Sequence, residues 1–349
     1  MQNDERLEKL SEIEKLSSPN DVDMLIEALK SNDTLIREAA FDKLKQFKFP
    51  EVPGKIAKLF RDSEAYVRNA AVLLMAYLWD LSKEELTKLL QDPDKDVRKL
   101  ALDSLHHVVG DPSVENLIAV GLDDVDVNNV IAAVEYLGEL GSVKYTDRIL
   151  NLLAESEDEF LSSTCIKALS RMADEKVAER VVQLFPELER IDDITLMAYL
   201  RFLASFPRVL KNLDLLIDLA EKKCDIMLKE FLDLFAAILD ENVELSAEEK
   251  GRMFQFLQRI FASEIPSPNK YEVILLMARL NPDYVKKEIV NYLYSNDPMI
   301  QLAATELIDQ FSWMDYMDDL KRICASAGDE DLRAAVELVI ERFEHAEGE

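Results

Sequence analysis

Apolar side chains recur along this chain at helical spacing, and in several places one phrase returns nearly intact. "NDTLIREAAFDKL" (32–44), "SEAYVRNAAVLLM" (63–75), "PDKDVRKLALDSL" (93–105), "NDPMIQLAATELI" (296–308) and "GDEDLRAAVELVI" (328–340) share one arrangement. With the apolar residue before the arginine as position zero, apolar or small residues stand at offsets 4, 7, 8 and 11, one face of a helix. Val67, Ala71, Leu74, Met75 and Leu78 fill these positions, as do Val97, Ala101, Ser104, Leu105 and Val108. So do Leu161, Cys165, Ala168, Leu169 and Met172. The register runs on through Thr195, Tyr199, Phe202, Leu203 and Phe206, and through Met227, Phe231, Leu234, Phe235 and Ile238. It closes with Leu332, Val336, Val339, Ile340 and Phe343.

Zero positions fall near 36, 67, 97, 129, 161, 195, 227, 269, 300 and 332. The period is about 30 to 34 residues with one step of about 42, within the range of helical repeats. Between the phrases lie second amphipathic segments such as "DVDMLIEALK" (21–30), "SKEELTKLL" (82–90) and "PDYVKKEIVNYLY" (282–294). Each unit is therefore expected to be a helical hairpin. The long step contains "LDENVELSAEEKGRMF" (239–254) and "FASEIPSPNKYE" (261–272), where a first helix or its connections must lengthen and "PSP" blocks simple helical continuation. A local change of curvature explains it, and a specialised partner loop is the alternative.

The polar residues repeat too. Three positions before zero stand Asp33, Glu64, Asp94, Asp126, Asp158, Asp192, Asp297 and Asp329, where a carboxylate accepts from the free amides of a helix start. Arg37, Arg68, Arg98 and Arg333 follow their acids by four residues, within reach of the same helix or of a neighbouring unit. The polar stretch "DPDKDVRKLALDSLHHVVGDP" (92–112) is thus mostly architectural.

This grammar resembles the HEAT-repeat family, especially its short bacterial and archaeal type with D-x-x-V-R-x-x-A opening the second helix. "DKDVRKLA" and "SEAYVRNAA" carry the resemblance, with "DEDLRAAV" a looser copy; units six to eight keep only the apolar register. The resemblance implies an all-α fold, a right-handed α-α superhelix (HEAT-like solenoid) of about ten hairpins, with second helices on its concave side. It also implies a noncatalytic scaffold that binds proteins. Such stacks need polar ends. Residues 1–17 are expected to form an N-terminal cap helix with Leu7, Leu10 and Ile13 inward, 18–344 the repeats, and 345–349 a tail. Residues 1–349 then make one domain. The last helix is expected to turn Arg333, Glu337, Glu341 and Arg342 away from the core.

Composition narrows the role. The formal charge of −28 repels phosphate, so nucleic acid and anionic membranes are disfavoured as ligands. A protein or peptide remains, a basic one included, because a negative field speeds encounter with positive partners. The opening residues carry no secretory pattern, and "AAVLLMAYLW" (70–79) is half the length of a membrane span. A cytoplasmic location is expected. Cys165, Cys224 and Cys324 lie far apart in helical pattern and suggest neither disulfides nor zinc.

No catalytic constellation emerges. His106 and His107 are adjacent, so on a helix their side chains diverge by about 100° and do not share one metal as an i, i+4 pair does. HEAT-like deoxyhypusine hydroxylases hold iron through His-Glu dipeptides, and the chain has none. HEAT-like DNA glycosylases need a basic groove. Relatives of the bilin lyases have no compact motif and stand as the alternative, an enzyme or enzyme accessory. The expectation is a non-enzyme without cofactor or metal.

On the second helices, offsets −1, 2, 6, 9, 10 and 13 point away from the expected core, and apolar residues there are candidate partner contacts. They are Tyr66, Leu73 and Tyr77 in unit two, then Phe160, Ile194, Met197, Ile226, Tyr271, Leu275, Met299, Leu302 and Trp313. His107 shares the register of Tyr77 one unit earlier and joins them. Packing against the next unit is the competing account of each. Full burial of Tyr66, Leu73 and Tyr77 together would remove the unit-two stripe from consideration.

Overall fold

The computed structural model describes the backbone of residues 2–346 and the side chains of 5–345. Among the described residues there are twenty α-helices, several short 3-10 turns and no strand. They form two compact units, residues 1–174 and 175–349.

The first unit holds α1 (Gln2–Lys15), α2 (Val22–Leu29), α3 (Thr34–Leu44), α4 (Val52–Ala57), α5 (Ala65–Tyr77) and α6 (Trp79–Leu89). It continues with α7 (Lys95–His106), α8 (Val114–Ile118), α9 (Val127–Glu139), α10 (Thr146–Glu155) and α11 (Glu159–Met172). Helices α3, α5, α7, α9 and α11 pack side by side as one layer, each also against the helix before it, while α2, α4 and α6 line up behind. The second unit comprises α12 (Glu175–Leu184), α13 (Asp193–Ser205), α14 (Leu213–Asp240), α15 (Ala247–Ala262) and α16 (Ser267–Leu280), then α17 (Pro282–Leu293), α18 (Pro298–Gln310), α19 (Met317–Ser326) and α20 (Glu330–Ala346). There α14, α16, α18 and α20 pack in succession, with α15, α17 and α19 against them. Neither layer could bury its apolar face without the other, which is the logic of stacked hairpins.

The apolar register predicts the core well. Every residue named for it above is buried except Phe206 and Ile340, which are half-buried, and the zero position at 269 is a half-buried asparagine. The buried face is wider than expected, because offset 5 is also inside: Val72, Leu102, Ile166, Leu200 and Leu232 are all buried. A second helix in the middle of a layer meets its own first helix and a neighbour on each flank, so more than one stripe leaves water.

The polar grammar resolves into a two-step ladder at the start of the second helices. Side chains of Asp33, Asp94, Asp126, Asp158, Asp192, Asp297 and Asp329 each accept an amide from the first turn, from Leu35, Asp96, Asn128, Leu161, Thr195, Met299 and Leu332 respectively. Glu64 does not cap, its carboxylate standing one methylene further from the backbone. Two residues earlier, Ser31, Asp62, Asp92, Asp124, Ser156 and Ser295 accept the amide of the residue at the cap position, Glu64 included. Each loop is thus pinned by consecutive side-chain turns.

The arginines do not pair with their own caps. Arg37, Arg68, Arg98 and Arg333 reach back six residues to the carbonyls of Ser31, Asp62, Asp92 and Ala327. Arg98 additionally grips both carboxylate oxygens of Asp124 in the next loop at 2.7 Å, in a pair almost excluded from water.

Two local expectations change. Leu7 is 64% exposed, whereas Ile13 is buried; α1 lies against α3 and Arg6 bridges to Asp33 at 2.6 Å, turning Leu7 outward. The helical segments around Met227 are joined by a kink rather than a loop: within α14 only Met227 leaves helical geometry, at φ −128° and ψ 26°. "KKCDIML" holds neither glycine nor proline to open a longer loop there. The lengthened first helix is α15, opened by a Ser246–Glu249 capping box, and Pro266 turns the chain into α16. Arg333, Glu337, Glu341 and Arg342 are exposed on α20 as expected.

Candidate protein-interaction surface

Helix α5 contributes the centre of the candidate surface. Its inward residues Val67, Ala71, Leu74 and Met75 are completely buried and fix its rotation, which places Tyr66, Leu73 and Tyr77 on the opposite side. Tyr66 is half-buried: its hydroxyl donates to the Lys30 carbonyl at 3.1 Å, and the Arg37 guanidinium lies 4.6 Å from its ring centre. Leu73 is 37% exposed and Tyr77 63%. The stripe is accessible.

Two shallow depressions adjoin it. The first, of about 500 Å³, lies between α3 and α5 and is bounded by Glu38, Phe41, Tyr66, Asn69, Ala70 and Leu73. The second, of about 490 Å³, is bounded by Leu73, Tyr77, Trp79, Asp80, His107 and Val108. Leu73 is their shared wall. Phe41 meets Tyr77 edge-on at 6.2 Å, and the Lys45 ammonium stands 5.3 and 5.0 Å from the two ring centres while pairing with Asp42 at 2.6 Å. The Trp79 indole donates to Asp111 at 2.7 Å. Hydrogen bonds from Ser113 and from that indole hold the Asp111 carboxyl down at about 2.

The structure thus brings Tyr66, Leu73, Tyr77 and His107 together. His107 is exposed, at the C-terminal end of α7. His106 is more than a solvated helix end: its Nε2 lies 2.7 Å from Glu139, and its ring stacks on Tyr136 with 4.1 Å between centres. Tyr136 donates to Asp103, which also takes Lys99, so this network ties α7 to α9. Burial and then the Asp103 carboxylate push the Tyr136 hydroxyl well above the usual phenol range.

The second unit scatters its candidates. Met197 is half-buried on α13. Tyr271 and Leu275 share α16; the Tyr271 hydroxyl donates to Glu306, and Leu275 lines a depression of about 550 Å³ with Asp233, Asp240, Glu272, Arg279 and Glu306. Met299 and Leu302 are half-buried, and Ile194 and Ile226 are exposed. Trp313 falls beyond α18, because Ser312 adopts a left-handed φ of 52° and the Trp313 amide turns back to Ile308. It stacks on Phe311 at 5.0 Å under the Lys286 ammonium from α17 and does not line Leu275's depression. In the first unit Phe160 is 58% exposed at the start of α11. Phe41 and Trp79 are parts of the surface that register alone did not find, and Glu38 and Asp80 stand at outward offsets 2 and 13, where a search for apolar residues passes over them as polar. Phe41 sits at offset 5, which is buried in other units, and is half-buried here against Tyr77 of the following second helix.

Residues 82–170 match a family model described as HEAT repeats. No curated protein matches the sequence. Solved structures are similar in fold at low identity. Importin beta matches with a TM-score of 0.60 at 12% identity, over 90% of this chain and 51% of that one. A homology model of the full-length AP-3 complex matches at 0.58 and 13%, over 92% and 68%. Karyopherin Kap121p, bound to the SUMO protease Ulp1p, matches at 0.51 and 16%, over 95% and 43%. The chain spans about half the length of importin beta and less of Kap121p. No helix among the described residues is long and apolar enough to cross a membrane. The repeated hairpin layers, the match over 82–170 and these neighbours together make this an all-α protein with the HEAT-repeat solenoid fold.

Proposed function

We propose that the chain is a noncatalytic scaffold or adaptor that binds a protein or peptide on the face of its second helices, acting in the cytoplasm as one solenoid domain over 1–349. The observation that carries the reading is the Tyr66–Leu73–Tyr77 stripe, which stays accessible beside two depressions although every inward neighbour on α5 is buried. Half-exposed aromatic and aliphatic side chains in shallow concavities are the anchors that protein interfaces favour. Kap121p, with a similar fold, is seen with a protein bound, which supports the same use here. Tyr271, Leu275 and Met197 offer secondary contacts in the second unit.

The test is affinity capture from the native cytosol with the wild-type chain and with a Leu73→Asp/Tyr77→Asp variant of unchanged far-UV circular dichroism. A stoichiometric protein partner should be retained by the former and lost by the latter, since removing two central anchors costs at least about 2 kcal/mol, a 30-fold loss of affinity. A partner held equally by both sinks the assignment of the stripe. A bound chromophore or small molecule in place of a protein would favour the bilin-lyase alternative.

A further inference from the structure

The two depressions on the first unit are built to the same plan. Tyr66, Asn69, Ala70 and Leu73 line the first; Leu73, Ala76, Tyr77 and Asp80, each seven residues on, line the second. Seven helical residues advance about 10 Å along an axis, so an occupant of both must carry apolar anchors at least two helical turns apart, straddling Leu73.

Charge decides what flanks those anchors. The cations here are already engaged: Arg37 donates to Ser31 at 2.9 Å and to Thr34 at 3.0 Å beneath Tyr66, and Lys45 pairs with Asp42. Glu38 and Asp80, one in each depression, are exposed and have no hydrogen-bond or ion-pair partner among the described residues. The unpaired charged groups are therefore a carboxylate in each depression, with Leu73 as an apolar wall between them. A helix satisfies its own backbone hydrogen bonds and carries side chains seven residues apart on one face, so it suits a surface that offers no strand edge among the described residues.

We infer that the occupant of this surface is an amphipathic helix of a partner protein, with two apolar anchors seven or more residues apart and a lysine or arginine outside each, facing Glu38 and Asp80. The inference rests on the scaffold reading and specifies its ligand.

The probe is a fluorescein-labelled synthetic helix with leucine anchors seven residues apart and a lysine beyond each, measured by anisotropy against the full chain over a range of salt. Two companions control it: a scrambled peptide of the same composition, and a twin with glutamate for lysine. The ordered basic peptide should bind at least about 10-fold more tightly than either, a difference of about 1.4 kcal/mol. Leu73→Asp should remove that advantage. Glu38→Gln/Asp80→Asn, two exposed changes that leave the fold intact, should weaken binding and flatten its salt dependence. Equal binding of ordered and scrambled peptides overturns the inference, because the overall negative charge then suffices. Preferred binding of the glutamate twin, still sensitive to Leu73→Asp, overturns the charge assignment while leaving the scaffold reading standing. Failure of all three peptides overturns the helical occupant, and the capture experiment with the native partner judges the scaffold reading separately.

Discussion

Two glycine-to-alanine changes, made on helices of the same chain, should have opposite signs. Gly138 lies inside α9, where a Cβ would stand 2.7 Å from the Ala168 Cβ and 2.8 Å from its Cα on α11. Gly251 lies inside α15 with nothing within 4 Å of such an atom. In an open helix, alanine gains about 1 kcal/mol over glycine through backbone entropy, so Gly251→Ala should stabilise by about that amount. At Gly138 the same gain meets backbone, which cannot swing aside as a flexible side chain can. Forcing an extra carbon into a packed helix interface typically costs about 1–3 kcal/mol and more where backbone must move. The clash should win, leaving Gly138→Ala about 1–2 kcal/mol less stable. Urea titration followed by far-UV circular dichroism reads both, with the slope of the transition checked so that a midpoint shift means stability. Adding Ala168→Gly should relieve only part of the loss, because the clash with the backbone of residue 168 survives it. If Gly138→Ala stabilises as Gly251→Ala does, α9 and α11 are free to separate, and their close approach is not a constraint on the sequence.

The remaining predictions concern the loops. Glu64→Asp should stabilise by about 0.5–1 kcal/mol in the same titration by supplying the cap that its seven counterparts already have, while Glu64→Ala should change little. Arg98→Ala strands a carboxylate that is 6% exposed and should cost about 3–5 kcal/mol, with Arg98→Ala/Asp124→Asn recovering a measurable part; equal loss in both would mean the pair is not what the change removes. Asp62, Asp124 and Asp126 are held below the usual carboxylate range, first by Lys30, Arg98 and Lys95 respectively, and Asp111 at about 2. Carboxyls lowered in the folded state bind fewer protons than in the unfolded one. Their stabilisation is complete above the unfolded value of about 4 and is lost as pH falls toward 2. Urea midpoints should drop across that window, and Asp111→Asn should narrow its own difference from wild type as pH falls; a gap constant with pH would refute the linkage.

How much of this was legible from the residues follows from what a one-dimensional period encodes. A helix with one dominant buried stripe announces it at 3.6-residue spacing, which is why the register positions from Val67 to Leu78 and from Met227 to Ile238 are inside. The period does not say how many neighbours a helix has, so the burial of Val72, Leu102 and Ile166 at offset 5 stayed hidden. Even so, "SND", "DSE", "DPD", "DVD" and "SED" before successive second helices spell the two-step turn, a signal present in the sequence and unread. Tyr66, Leu73 and Tyr77 were legible as apolar residues on an outward register. Phe41 and Trp79 reach the same surface from other elements, and sequence adjacency carries no trace of that. Trp313 was misplaced in register because the helix stops at Gln310, and a serine taking a left-handed turn gives weak warning.

Net charge is a poor guide to where a partner binds, and the two acidic surfaces show why. Around Leu275, Lys229 holds both Asp233 and Glu272, Arg279 holds Asp240, and Tyr271 holds Glu306. That groove is rich in carboxylates yet largely spent on itself, and a ligand would have to break existing pairs to use them. Around Leu73 fewer acids are present, but Glu38 and Asp80 are the ones left over, beside side chains already held in place by Arg37 and Lys45. A surface whose anchors are ordered before binding loses less entropy on complex formation. On the proposed reading, the charge of −28 would draw a basic partner to either unit, and unengaged charge next to an ordered apolar floor would select where it settles.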